Sequence, residues 1–279
     1  MPKKKTAAVI FSGGGIKGLA QIGALKAIEE HLEQHDLNLK TVVGTSVGSI
    51  TASLLAAGIE AQKAIDLIES KRFLPLSIAD VSLTGPGLIK GKGIHNLLST
   101  HIKDTTFQDT ETDLLINAVD LLSGHEYVYS KQGLRKKGTR TIVKERNRIT
   151  DAVGASIAIP FIFQPRKEGK LLLADGGLLN PIALDLIEPH KYDEVIIVQT
   201  TGSLDYIKPD DPKKSQVFVQ AVSVMHRRYF FPAFHEKLKK HRHIKLLKPP
   251  AKPLVRPSKT AIKESIDKAY AEAKEELKR

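Results

Sequence analysis

The chain contains no cysteine. That excludes a disulfide framework, a thiol nucleophile and a cysteine-ligated metal, and it fits a reducing compartment. It also lacks any apolar run approaching the roughly 20 residues that a membrane-spanning helix requires. Lys3-Lys4-Lys5 ahead of an apolar stretch imitates a secretion leader. The apolar run, however, stops at Phe11, is broken by Ser12 to Gly15 and then meets Lys17. Such a core is too short and too polar for a signal peptide, so the segment reads as a first strand. The expected location is cytoplasmic, with a peripheral place at the membrane open to it. Acidic groups are in short supply as well: 31 Asp and Glu stand against 43 Lys and Arg, a net charge of +12. Much of the excess lies in two stretches, Lys131 to Arg148 (Arg135, Lys136, Lys137, Arg140, Lys144, Arg146) and Arg227 to Arg256 (Arg228, Lys237, Lys239, Lys240, Arg242, Lys245, Lys248, Lys252). Their charge suits an anionic membrane surface or nucleic acid, and equally suits solvated helix and loop faces.

What the chain does have is the composition of an ordinary soluble globular protein, 41% hydrophobic and 27% charged. Its 279 residues suffice for one large α/β domain or two small ones. The first 60 residues read as strand, glycine turn, helix, strand, sharp turn, helix. Apolar spacing at Leu19, Ile22, Leu25, Ala27 and Ile28 marks the first helix, and Ile50, Leu54 and Leu55 mark the second; Ile59 to Lys71 gives a third. Pro75, Gly85, Pro86, Gly87, Gly91 and Gly93 make 72–93 a long surface segment, and Ile94 to Ile102 follows as a helix. Leu114 to Tyr129 forms a strand pair around Ser123-Gly124. A helix from about Thr150 ends before Pro160, Leu171 to Ala174 is a strand stopping at Asp175, and Glu194 to Gln199 is a buried strand. A helix over Ser215 to about Arg228, a strand at His243 to Leu247 and a terminal helix from Ser258 complete the chain. Ile262, Ile266, Tyr270 and Leu277 form the packing side of that last helix. Strands alternating with helices predict a mostly parallel sheet covered on both faces.

Two glycine turns carry the chemistry. Thr6 to Phe11 runs into Ser12-Gly13-Gly14-Gly15-Ile16-Lys17-Gly18, and Thr41-Val42-Val43 runs into Gly44-Thr45-Ser46-Val47-Gly48. The second has the G-x-S-x-G form of a nucleophile elbow, which exposes a serine oxygen on a strained strand-to-helix turn. Gly44 and Gly48 let backbone approach backbone there, and the helix that follows aims its positive end at a developing alkoxide. The first turn has the form of a backbone N–H cradle for negative charge. Both belong to one right-handed βαβ unit and therefore lie at the same edge of the sheet. Adjacent strands would stand roughly 5 Å apart. The N–H groups of Gly14 and Gly15 could then face a carbonyl attacked by Ser46, each such donor contributing on the order of 3 kcal/mol in the transition state. A base is also needed. Asp175, at the end of an apolar strand and followed by Gly176-Gly177, can project into a site formed by the other loops; Asp-Gly-Gly can equally be a plain turn.

The ordered set Gly13-Gly14-Gly15-Ile16-Lys17-Gly18, Gly44-Thr45-Ser46-Val47-Gly48 and Asp175-Gly176-Gly177 resembles the patatin-like phospholipase family. Ala155-Ser156-Ile157-Ala158-Ile159-Pro160 and Asn180-Pro181 resemble further signatures of that family, and the likeness covers about residues 6 to 200. It implies a three-layer α/β/α fold. A single domain over 1–279 is expected, with the basic part, about 201–279, completing the fold although it matches no motif of that family, and no cofactor or metal is expected. The likeness further implies a Ser-Asp dyad without histidine: Ser46 attacks a lipid ester, Asp175 takes its proton and Gly13, Gly14 and Gly15 hold the oxyanion. Lys17 stands where the family commonly has arginine, and Gly18, Gly44, Gly48, Gly176 and Gly177 support the turns. The expected partner is a lipid ester, with peripheral contact to an anionic membrane surface and no nucleic acid.

Other readings compete with parts of this. Gly13 to Gly18 also satisfies the dinucleotide fingerprint G-x-G-x-x-G. A Rossmann site wants an acidic residue at the end of the second strand, where this chain has Gly44-Thr45-Ser46; Asp36 has the approximate spacing but precedes the strand. A basic nucleic-acid-binding module would explain the charge and leave the glycine motifs unexplained. A Ser-Asp-His triad would need one of His190, His226, His235, His241 or His243, which read more simply as surface residues. The run Met225 to Phe234 is open to two roles. Its aromatics, Phe230 and Phe231 among them, could dip into a lipid interface near the substrate entrance, or it could be a helix packed on the core with a turn at Pro232.

Overall fold

A computed structural model describes residues 4–69, 87–89, 102, 104–134, 139–142, 148–202, 204, 213–251 and 258–279. Seven strands form the main path of a sheet in the order β11 (Ile244–Leu247), β10 (Glu194–Val198), β1 (Thr6–Phe11), β2 (Asn38–Thr45), β4 (Asp113–Asp120), β5 (Glu126–Tyr129) and β6 (Thr139–Ile142). The pairs from β11 through β4 are all parallel, as is β5 with β6, whereas β4–β5 is an antiparallel hairpin. β9 (Leu171–Asp175) pairs antiparallel with β4 and with β8 (Arg166–Glu168). β3 (Gly87–Ile89) and β7 (Phe161–Phe163) make a separate parallel pair. The sheet is thus mixed and mostly parallel, as expected, and helices flank it.

Strand periodicity divides the core. Val9, Phe11, Val42, Leu114 and Ile116 point to one face, where they join side chains of α1 (Leu19–Gln34), α2 (Val47–Ala56), α4 (Ile149–Ser156) and the terminal α7 (Lys259–Lys278). Ala8, Ile10, Val43, Leu115 and Val128 point to the other, packed by residues 182–187 and by α6 (Phe231–Lys239). Ile22 of α1, Ile65 and Ile68 of α3 (Ala61–Glu69) and Ile262 and Ile266 of α7 form a smaller cluster. Ile262, Ile266 and Leu277 are buried as their spacing requires.

The helix expected over Ser215 to Arg228 is α5 (Lys214–Met225), continued by one π-helical turn, His226–Phe230, directly into α6. Pro232 makes no turn. It sits in the first turn of α6, within helical backbone that runs on from the π turn. The expected helix Ile94 to Ile102, save Ile102 itself, and most of the surface segment 72–93 lie outside the described residues. So do Arg135, Lys136, Lys137, Lys144, Arg146, Lys252 and Arg256 of the basic stretches.

One feature of the sheet brings Ser46 and Asp175 to the same place. β4 pairs through residues 116–119 with β5 on one edge. Its other edge is shared: β2 occupies it up to Thr45 opposite Asn117, and β9 takes over with Asp175 opposite Ala118. The parallel strand ends in the elbow, the antiparallel strand ends at the aspartate, and their C-terminal ends meet.

Candidate active site

Ser46 lies between β2 and α2 with φ 53° and ψ −130°, a left-handed backbone that a side chain adopts only at a cost of about 1–3 kcal/mol. The surroundings hold it there. Its N–H donates to Ser156 Oγ at 2.9 Å, and its carbonyl accepts from the Ser49 N–H (2.8 Å) and the Ser49 hydroxyl (2.6 Å). Close packing under the turn demands glycine: a Cβ on Gly48 would stand 2.3 Å from the Phe11 carbonyl oxygen, and one on Gly44 2.5 Å from the Ser49 Cα. The elbow therefore presses directly on the end of β1.

Ser46 Oγ donates to Asp175 Oδ2 at 2.5 Å. Both side chains are buried. The second carboxylate oxygen accepts the Gly177 N–H at 2.7 Å, and the Asp175 N–H is anchored on the Ala158 carbonyl at 3.0 Å. Burial pushes the Asp175 carboxyl up from its ordinary value to about 7, against the downward pull of the Ser46 and Gly177 hydrogen bonds. A carboxylate with such a pKa is a far better base near neutrality than a solvated one.

The glycine loop is clamped from behind. Gly13 donates its N–H to the Pro181 carbonyl (2.9 Å), and its own carbonyl accepts from the Ser12 hydroxyl (2.8 Å) and the Thr200 hydroxyl (3.2 Å). Gln21 Nε2 ties Ser12 O and Thr200 Oγ1 together at 2.6 and 2.8 Å. Gly13 is thus not a donor to the site: its N–H already has an acceptor. Gly14 and Gly15 donate to no acceptor among the described residues. Ser46 approaches the same loop, since a Cβ on Gly13 would lie 3.5 Å from the Ser46 Cβ. Lys17 is buried, and Gly18 packs against Val47 so closely that a Cβ would meet its Cγ2 at 2.2 Å. Gly176 packs in the same way on Asn117, which itself donates to the Asn180 carbonyl at 3.2 Å.

Ser156, Gln21 and Thr200 were not singled out from the sequence as parts of the site. Ser156 does fall in a quoted family signature, and Gln21 is a lone polar residue inside an apolar helical stretch, which is the signal that marks it. Among the described residues no histidine bonds Ser46 or Asp175. His226 Nε2 lies 3.3 Å from the Leu178 carbonyl, and His243 Nε2 lies 2.9 Å from the Pro189 carbonyl. Asp36 is paired with Lys4 at 2.6 Å before β2 begins, at the opposite edge of the sheet from the glycine loop. It cannot serve as the ribose ligand of a dinucleotide site. Phe231 and Phe234 are buried, and Phe230 stacks on Phe234 with ring centroids 5.9 Å apart. Those rings therefore point into the core and not into a lipid interface. No helix among the described residues is long and apolar enough to cross a membrane.

Residues 9–186 match the family model described as patatin-like phospholipase. YqhO of Bacillus subtilis is 30% identical over 207 residues, covering 67% of this chain and 68% of YqhO. The NTE family protein Mb2594 of Mycobacterium bovis is 26% identical over 192 residues, 68% of this chain but only 29% of that protein's length. The crystal structure of VipD from Legionella pneumophila shares the fold, with a TM-score of 0.61 at 14% identity over 99% of this chain and 67% of VipD. The chain belongs to the patatin-like phospholipase family.

Proposed function

We propose that the chain is a serine lipid acyl hydrolase of the phospholipase A or lysophospholipase type, acting through a Ser46–Asp175 dyad. The observation that carries the reading is the 2.5 Å hydrogen bond from Ser46 Oγ to a buried, pKa-raised carboxylate. Asp175 takes the Ser46 proton as Oγ adds to the ester carbonyl. The N–H groups of Gly14 and Gly15 and the N-terminus of α2 stabilise the resulting oxyanion. Collapse expels the lipid alcohol, which receives the proton from Asp175 and leaves an acyl-Ser46 ester. Water then adds to that ester, giving its proton to Asp175, and the fatty acid departs as Ser46 is restored. Lys17 and the glycines 18, 44, 48, 176 and 177 hold the loops in place, and neither cofactor nor metal takes part.

The residues after 200 support a single domain, because β11 extends the sheet and α7 packs on α1. The positive charge suits an anionic membrane surface as the place where substrate is met. Lipid vesicles incubated with the protein should release free fatty acid, detected by mass spectrometry, and Ser46→Ala should abolish that release. Salt-sensitive DNA binding without acyl release from any lipid would instead favour a non-hydrolytic protein.

A further inference from the structure

α5 presents an apolar stripe outward, while Phe218, Val219 and Val222 are half-buried. Val217, Ala221, Val224 and Met225 fall at i, i+4, i+7 and i+8, the spacing of one helical face, and all are exposed, Val224 and Met225 by 51% and 60%. None of the helix's side chains is buried. In a helix that meets only water this stripe would be polar; a contiguous apolar stripe on the surface marks something that covers it. Tyr229, 75% exposed, extends the stripe into the π turn. Basic residues stand at both ends, Lys213 and Lys214 before the stripe and the exposed Arg227 and Arg228 after it. No acidic residue occurs from Lys213 to His235.

The helix is also tied to the segments that hold the aspartate. Phe218 packs edge-on against Phe161 with centroids 5.2 Å apart, and His226 contacts the Leu178 carbonyl. Phe161 follows Ala158, whose carbonyl anchors Asp175, and Leu178 follows Gly177, whose N–H binds the Asp175 carboxylate. Phe161 and Leu179 add exposed apolar surface at these two tethers, 49% and 48% exposed.

We infer that α5 and the π turn after it form the surface that docks this protein on an anionic lipid bilayer. The apolar stripe enters the headgroup–acyl boundary and the four basic residues lie at the level of the phosphates. The complementarity decides the occupant: a second copy of a chain this basic would meet the four cations with its own, whereas an anionic leaflet neutralises them. Docking serves the lipid-ester reading of Ser46–Asp175, on which its purpose rests, but binding itself needs no catalysis.

Flotation with vesicles containing phosphatidylglycerol, against vesicles of phosphatidylcholine alone, tests the inference. The Ser46→Ala protein should bind anionic vesicles as the wild type does, which separates docking from hydrolysis. Val217→Ser with Val224→Ser and Met225→Ser should weaken binding at least tenfold while the melting temperature holds, since all three side chains already face water. Arg227→Gln with Arg228→Gln should weaken binding to anionic vesicles and flatten its salt dependence. The inference is overturned if the serine triple variant, still folded, binds anionic vesicles as tightly as the wild type. It is equally overturned if the wild type ignores vesicle charge, or if the triple variant merely converts a dimer to a monomer by sedimentation with vesicle binding unchanged.

Discussion

Ser46 Oγ lies 2.5 Å from Asp175 Oδ2 although 129 positions separate the two in the chain. What brings them together is β4, whose one edge carries Thr45 opposite Asn117 and Asp175 opposite Ala118. Serine and aspartate are thereby fixed by backbone pairing on a buried strand. The loops add the glycine N–H groups around them.

The first consequence concerns pH. If Asp175 is the base, turnover requires its carboxylate, and burial sets its pKa near 7. Hydrolysis of a soluble ester should therefore be weak at pH 5, half-maximal near 7 and on a plateau above 8, with no histidine replacement among His190, His226, His235, His241 and His243 shifting the midpoint. A profile already flat at pH 5, or one displaced by a single histidine variant, would count against the dyad.

The same burial makes Asp175 a liability to the fold. A carboxyl whose folded pKa lies above its unfolded value binds its proton more tightly when folded. Stability therefore falls as pH rises from about 4 to about 7, and the penalty is complete above that. A shift from 3.8 to about 7 corresponds to at most roughly 4 kcal/mol. Asp175→Asn, inactive, should have a higher Tm than the wild type at pH 8, and the gap should close toward pH 4. Equal melting temperatures at both pH values would show that the folded pKa is ordinary.

Much of this was legible in the sequence and some was not. β1, β2, the elbow and the strand before Asp175 were readable because each is a short apolar run ended by glycine or Asp-Gly-Gly, a strong local signal. The meeting of Ser46 with Asp175 depends on the antiparallel register of β9 on β4. Register is long-range, and a slip of one residue would turn Asp175 to the other face. The strands β6, β7 and β8 escaped notice because stretches such as Arg166–Glu168 are short and carry no alternation of apolar residues. The inward packing of Phe230, Phe231 and Phe234 is the core-packed alternative that the sequence left open; what no local pattern announces is the π turn at His226–Phe230, which rotates the helical register. Nor could sequence reveal that Gly13 gives its N–H to Pro181, which is why only Gly14 and Gly15 are proposed as oxyanion donors.

The seat of the elbow can be tested at Ser156. Its hydroxyl accepts the Ser46 N–H in a buried setting, so Ser156→Ala leaves that donor without a partner, at a cost of about 1–3 kcal/mol. The nucleophile then loses its fixed position as well. We expect a lower Tm and a fall in kcat with KM little changed. Ser156→Thr, which retains an acceptor, should recover part of both. Unchanged kcat in Ser156→Ala would remove Ser156 from the account.

The glycine cradle predicts a different signature. A Cβ on Gly14 would stand 2.3 Å from Thr200 Oγ1, the oxygen that bonds Gly13 O and Gln21 Nε2. Gly14→Ala should displace the loop and lower kcat on the order of a hundredfold, the usual loss for one oxyanion donor. Thr200→Ala, which loosens the clamp without blocking the loop, should lose less. Full activity in Gly14→Ala would place the oxyanion elsewhere.

The central claim is that Ser46 is the nucleophile. A fluorophosphonate forms a covalent adduct with a serine that attacks it, and peptide mass spectrometry locates the adduct. The account predicts one labelled residue, Ser46, with labelling lost in Ser46→Ala and strongly slowed in Asp175→Asn. An adduct on another residue, or folded and hydrolytically active protein that takes up no label at Ser46, would contradict it.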